Sequence, residues 1–225
     1  MANAVAKAVI GLAALGAAGV GAWSWATGWA PSTKRYPLQG VDLGERPPAV
    51  DWGSIRAAGA DFAYIVATSG VDRRDPAFEP NWTALPEAGL RRGAVHLYSL
   101  CQGATAQADA FNTVVPRTTD ALPVAVDLDY RSDCTARPAK PALARDLVRF
   151  VERVEAHTGK PVLLRVSRDV ERDYAISTMI ARPLWAIANG LAPDYAGRPW
   201  RMWRASDIRR VEGVEAPLNW DVVAP

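Results

Sequence analysis

Four short runs of nearly unbroken apolar residues, Phe62–Thr68, Gly93–Leu100, Leu122–Asp129 and Pro161–Ser167, alternate with stretches of helical spacing. Apolar runs of this length read as strands buried on both faces, the condition of a parallel sheet covered by helices. Gly40–Leu43 supplies a shorter strand before them. Helices are expected over Asp51–Ala58, Asn81–Leu90, Thr105–Val115, Pro141–Thr158 and Arg168–Ile176. In the longest, Leu143, Leu147, Phe150, Val151 and Val154 share one face, and Gly159 is placed to end it. Pro183–Asn189, Trp200–Ala205 and Leu218–Val223 then read as strands joined by loops. Alternating β and α units imply an α/β protein with a parallel sheet. Eight strands imply closure into an irregular TIM-like barrel with about five helices, whose last third has lost its helices.

The chain divides at its N-terminal side. From Ala8 to Pro31 there is no charged residue, with Lys7 before this stretch and Lys34 and Arg35 after it. The stretch is long enough to span a bilayer, and Trp23, Trp25 and Trp29 at its end suit an interfacial belt. It is rich in Ala and Gly. A cleaved signal peptide is the competing reading, with small residues such as Val20 and Ala22 before a cut. Residues 1–31 are thus expected to be a signal-anchor or signal peptide, 32–39 a linker, and 40–225 the barrel domain. Either reading puts the barrel outside the cytoplasm, periplasmic or extracellular, and the anchor reading ties it to the membrane. Two cysteines in an exported chain favour a disulfide, and Cys101 and Cys134 each follow a predicted strand. Two unrelated thiols are the alternative.

A formal charge of +2 with scattered Arg gives no basis for nucleic-acid binding. There is no CxxC or Cys/His zinc spacing, no nucleotide-binding glycine motif and no Ser/His/Asp signature. What stands out is Val124-Ala125-Val126-Asp127-Leu128-Asp129. Residues i and i+2 of a strand share a face, so Asp127 and Asp129 are expected to project together from the C-terminal end of a buried strand. In a parallel barrel that end carries the chemistry.

The sequence from about Gly40 to Val223 resembles the family 25 glycoside hydrolases, the lysozymes of the Chalaropsis type. The resemblance rests on Gly40-Val41-Asp42-Leu43 followed by Val50-Asp51-Trp52, on Phe62 to Gly70, and on Ala88-Gly89-Leu90 with Gly93 to Tyr98. It continues through Leu122 to Asp129, Thr158 to Leu163, Pro183-Leu184-Trp185, Trp203 to Ser206 and Val211 to Val214, all in family order. It implies a barrel of eight strands and five helices. It also implies cleavage of the β-1,4 bond between N-acetylmuramic acid and N-acetylglucosamine in peptidoglycan; no cofactor and no metal are expected, and the protein is expected to be a monomer. By resemblance Asp42 is the first-strand carboxylate, and Asp127 the first acid of the family's Asp-x-Glu. Asp129 stands where the Glu general acid is usual. Asn219 and Asp221 stand where the family's last strand has Asp and Asn.

Glycoside hydrolysis needs a proton for the leaving oxygen and support for a positive, oxocarbenium-like centre. Asp129 is expected to supply the proton, with Asp127 polarising the substrate's 2-acetamido group and Asp42 assisting. Tyr64, His96, Tyr98, Trp185, Trp203, Asn219 and Asp221 are expected to line the cleft, although core packing is the competing role for the aromatic residues and for His96. Arg165 and Arg204 fall on barrel strands, where a buried guanidinium wants a carboxylate partner. The exchanged acids also point to two other readings: a glycan-binding barrel that has lost efficient hydrolysis, and a hydrolase of another glycan or one assisted by a metal.

Overall fold

The computed structural model describes residues 2–225, with side-chain placement for residues 10–12 and 14–225. Helix α1 (Ala2–Gly28) precedes a barrel built from β1 (Gln39–Asp42), β2 (Phe62–Ser69), β4 (Arg91–Leu97), β5 (Ala125–Leu128), β6 (Leu163–Val166), β7 (Leu184–Ile187), β8 (Met202–Arg209) and β9 (Leu218–Val223). The sheet runs β1-β9-β8-β7-β6-β5-β4-β2, and pairing of β1 with β2 closes it. A two-residue strand, β3 (Arg73–Arg74), pairs antiparallel with the end of β2. Its two charged, exposed residues carry no apolar signal, which is why the sequence does not show it.

The sheet is parallel from β1 through β2 and β4 to β8, but β9 runs antiparallel to both its neighbours. A purely parallel barrel is therefore corrected to a mixed one. The cause is chain length. Only residues 210–217 connect β8 to β9, and a parallel crossover needs about a dozen residues or more.

Helices α2 (Trp52–Ala57), α3 (Phe78–Glu87), α4 (Ala104–Val114), α5 (Lys140–Thr158) and the short α6 (Arg168–Tyr174) and α7 (Ile176–Met179) surround the barrel. Their ends follow local chemistry. Asp51 caps α2 by accepting from the Gly53 and Ser54 N–H groups at 2.9 and 3.2 Å. Gly159 ends α5 in the left-handed region, its N–H donating to Glu155 O at 2.8 Å.

Strand alternation divides the core in two. Leu143, Leu147, Phe150 and Val154 of α5 pack with Val126, Leu128, Leu164 and other outward strand residues between helices and barrel. Inside the barrel, Phe62, Tyr64, Val95, Leu97, Ala125, Leu163, Trp185 and Met202 form a smaller cluster. This inward set contains Ala125, so Asp127 points inward as well. The lower end of the interior is closed by Tyr64, whose ring lies so near Gly93 that a Cβ there would sit 2.3 Å from it.

Cys101 and Cys134 are joined by a disulfide that ties the loop after β4 to the loop after β5. It closes a loop with a sequence separation of 33. Chain entropy for a loop of that size makes the bond worth about 3–4 kcal/mol. Reduction is therefore expected to lower the urea midpoint by a corresponding amount, measured on the full chain with and without a thiol reductant.

Candidate active site

Asp42, Asp127, Arg165, Arg204, Asn219 and Asp221 all point into the barrel toward its C-terminal end. Their registers place them at nearly one level: Asp127 pairs with Arg165, Asp42 with Asn219, and Arg204 with Asp221. Arg165, only 4 % exposed, bridges the barrel. Its Nε donates to Asp127 Oδ1 at 2.6 Å and its Nη1 to Asp42 Oδ1 at 2.7 Å. Arg204 grips Asp42 with two bonds, Nε to Oδ2 at 2.8 Å and Nη2 to Oδ1 at 2.5 Å. Asn219 Nδ2 donates to Asp42 Oδ1 at 3.2 Å. Arg131, just past β5, donates to Asp127 Oδ2 at 2.6 Å. Below this layer the Arg165 guanidinium lies 4.7 Å from the Trp185 ring centre, and Trp185 Nε1 donates to Asp221 Oδ1 at 2.9 Å.

Electrostatics sort these acids. Burial opposes the charge on Asp42, yet the Arg204 and Arg165 guanidiniums outweigh it and hold the carboxyl below its ordinary range. Asp127 behaves alike: burial opposes ionisation, and Arg165, with Arg131, overcomes it. Asp221 is the opposite case. Burial, and then the charge of Asp42, push it well above the carboxylate range. Asp221 Oδ2 meets no donor, so as a carboxylate it would be buried and unsatisfied. Protonated, it donates instead, and Asp42 is the acceptor it faces. The layer thus sets buried Arg165 and the partly exposed Arg131 and Arg204 against the two ionised carboxylates of Asp42 and Asp127.

Asp129 is different. It lies one residue beyond the end of β5, is exposed at the mouth, and its Oδ1 accepts its neighbour's N–H, from Tyr130, at 2.8 Å. Asp127, 6 % exposed, borders the mouth. Asp42, 1 % exposed and surrounded by Arg165, Arg204 and Asn219, has no surface for a sugar. Asp42, expected to assist acid catalysis, is placed in the structure as an anchor for two guanidiniums.

The residues expected to line the cleft divide in the same way. Asn219 is half-buried beside Asp42. Trp185 and Asp221 are fully buried beneath the Arg165 layer and support it from below. Tyr64 donates to Pro123 O at 2.8 Å and lines a cavity of about 300 Å³ with Phe62, Leu163 and Met202 at the opposite end of the barrel. His96 and Tyr98 point outward, because Leu97 pairs with the inward Asp127. Trp203 also points outward, packing on Tyr36 and Trp200. Of the residues expected to line the cleft, His96, Tyr98 and Trp203 are turned away from the interior by strand parity, Tyr64 sits at its far end, and all four pack in the core. Arg131 is the residue that sequence reasoning missed. Its position four residues after Asp127 was the available signal, since the chain turning off the strand brings that side chain back over the acid.

His96 is expected to make stability depend on pH. It bonds Thr68 at Nδ1 and Gln107 at Nε2, and its ring stacks on Phe150. Burial drives its pKa down to about 4, against the opposing Gln107 hydrogen bond. A folded value below the unfolded one means that its contribution to stability is present above about pH 6.5 and is lost as the pH falls toward 4. His96→Gln is expected to shrink the stability difference between pH 7 and pH 4 by about 3 kcal/mol, read from urea unfolding at the two pH values.

An eight-stranded barrel with helices outside and acids at the C-terminal strand ends is the architecture of a barrel glycosidase. The sequence profile of the glycosyl hydrolases family 25 matches residues 41–214, and the chain belongs to that family. It is a hydrolase of the lysozyme or muramidase type. A protein of Escherichia coli K12 named YegX is 29 % identical over 193 residues, covering 83 % of this chain and 70 % of YegX. Lysozyme M1 of Streptomyces globisporus is 30 % identical over 194 residues, covering 81 % of this chain and 66 % of the lysozyme. Among solved structures, a bacterial lysozyme from Streptomyces coelicolor superposes with a TM-score of 0.76 at 27 % identity, covering 83 % of this chain and 91 % of the lysozyme. A family 25 glycosyl hydrolase from Bacillus anthracis gives a TM-score of 0.76 at 26 % identity, with 85 % and 91 % covered.

Proposed function

We propose that the protein is an exported peptidoglycan hydrolase that cleaves the β-1,4 bond between N-acetylmuramic acid and N-acetylglucosamine. The observation that carries the reading is the pairing of roles at the end of β5: an ionised, held Asp127 at the border of the mouth and an exposed Asp129 above it. Asp129 delivers the proton to the leaving oxygen. Asp127 gives each of its oxygens to one guanidinium and keeps lone pairs free for the N–H of a 2-acetamido group, whose carbonyl then attacks the anomeric carbon. Arg165, Arg204 and Asp42 hold Asp127 in place. The reaction uses no cofactor.

One observation favours a second reading, a barrel that binds glycan and hydrolyses it poorly. The excess guanidinium charge beneath the mouth opposes a positive centre at the anomeric carbon. Release of reducing ends from purified peptidoglycan separates the two. The first reading predicts release by the wild type and a loss of about 10²–10⁴-fold in Asp129→Asn, the usual contribution of a general acid. Glycan binding without release by the wild type would support the second.

A further inference from the structure

The last turn of α1 is built into the barrel domain. Thr27 is buried, its carbonyl accepts the Arg210 N–H at 2.8 Å, and its hydroxyl donates to Trp23 O at 3.0 Å. Trp29 and Ala30 continue onto the core, and Tyr36 and Gln39 are buried behind them. No loose spacer therefore separates helix from barrel. Arg210 follows directly on β8, and β5 through β8 run parallel, so this docking point is on the rim at the same end as Asp127 and Asp129.

Among the described residues, the helix from Ile10 to Trp25 is not packed into the barrel. Its described side chains from Ile10 to Trp25 are exposed. Ile10–Gly28 is 19 residues long and apolar enough to cross a bilayer. Ahead of the docked turn, Ile10–Ala26 reaches about 25 Å at 1.5 Å per residue, a little under the hydrocarbon thickness. Trp23 and Trp25 are exposed within the two turns before the docked Thr27, where an interfacial belt belongs. Leu191, 81 % exposed on the loop between β7 and β8, and Ile208 on β8 add apolar side chains to the same rim.

We propose that α1 holds the barrel mouth-first against the lipid bilayer. Because β8 runs from Arg204 in the site to Arg210 at the helix with two bulges that shorten its rise to about four residues, the Arg204 layer stands roughly 13 Å below the docking point on the rim. The substrate is then glycan lying against the membrane, not the outer layers of the wall. This last step rests on the hydrolase reading; the orientation does not.

Energy transfer from a dye on single introduced cysteines to a headgroup-labelled lipid tests the orientation. The full chain is placed in phosphatidylethanolamine and phosphatidylglycerol vesicles, with its own cysteines paired in the disulfide. Leu191→Cys reports the mouth, Asp194→Cys is a second exposed position on the same loop, and Glu87→Cys at the end of α3 reports the opposite end. With the two ends separated by roughly 26 Å of strand, transfer from the mouth labels is expected to exceed that from Glu87→Cys at least about threefold. Equal or greater transfer from Glu87→Cys, or no transfer from any label, would overturn the orientation. Loss of the contrast with peptidoglycan hydrolysis intact rejects only the orientation. An intact contrast without hydrolysis rejects only the hydrolase reading.

Discussion

Replacing Arg165 with Met is expected to destabilise the barrel by about 3–5 kcal/mol, the usual result of removing one partner from a buried ionic network. For a domain of this size that corresponds to a fall in Tm of roughly 10 °C. Met restores much of the volume and part of the packing on Trp185, so the loss reports charge. Asp42 keeps Arg204 and Asp127 keeps Arg131, which places the effect toward the lower figure. The pH dependence gives a second signature. Arg165 holds the Asp42 and Asp127 carboxyls below their ordinary range. The stability it supplies is therefore present above the unfolded value near pH 3.9 and fades as the pH falls through the lower folded values. Wild type and variant should converge in acid. Adding Asp127→Leu to Arg165→Met should recover part of the loss, because it removes a carboxylate left with one guanidinium.

Asp129→Glu is expected to raise the rate of peptidoglycan hydrolysis by about 10–100-fold. The Asp side chain is one methylene short of the family's Glu, a deficit of about 1.5 Å. Misplacement of a reacting group by about 1 Å can cost roughly a hundredfold. In the structure Asp129 also spends one oxygen on the Tyr130 N–H, folding the carboxyl back against its own loop. A Glu at this position extends past that contact toward the mouth. Initial rates of reducing-end release for the two proteins at equal concentration give the comparison. A rate unchanged or lowered by Glu would mean that the groove seats its sugar for the shorter acid.

Much of the fold was legible because buried strands are written as apolar runs. Phe62–Thr68 became Phe62–Ser69, and the face of α5 formed by Leu143, Leu147, Phe150 and Val154 is the face that packs. Asp127 stood out for the same reason, as a carboxylate at the end of such a run. What the sequence could not show was register. Asp127 lies opposite Leu97, so His96 and Tyr98 face the helices, and a shift by one residue would have put both into the barrel. The level shared by Asp42, Arg165 and Arg204 is likewise a product of pairing between strands more than a hundred residues apart. The need of Arg165 and Arg204 for acidic partners was visible; that both converge on Asp42, leaving Asp129 as the exposed acid, emerges only when the barrel closes. The direction of β9 and the short β3 carried no periodic signal of their own.

The most direct test of the account is the chemistry of the ends that the protein creates. Purified peptidoglycan is digested, the products are reduced with borohydride, and the reduced sugar is identified by mass spectrometry. The account predicts new reduced ends at muramic acid, abolished in Asp129→Asn and more abundant in Asp129→Glu. New ends at glucosamine, or none from either the wild type or Asp129→Glu, would contradict it.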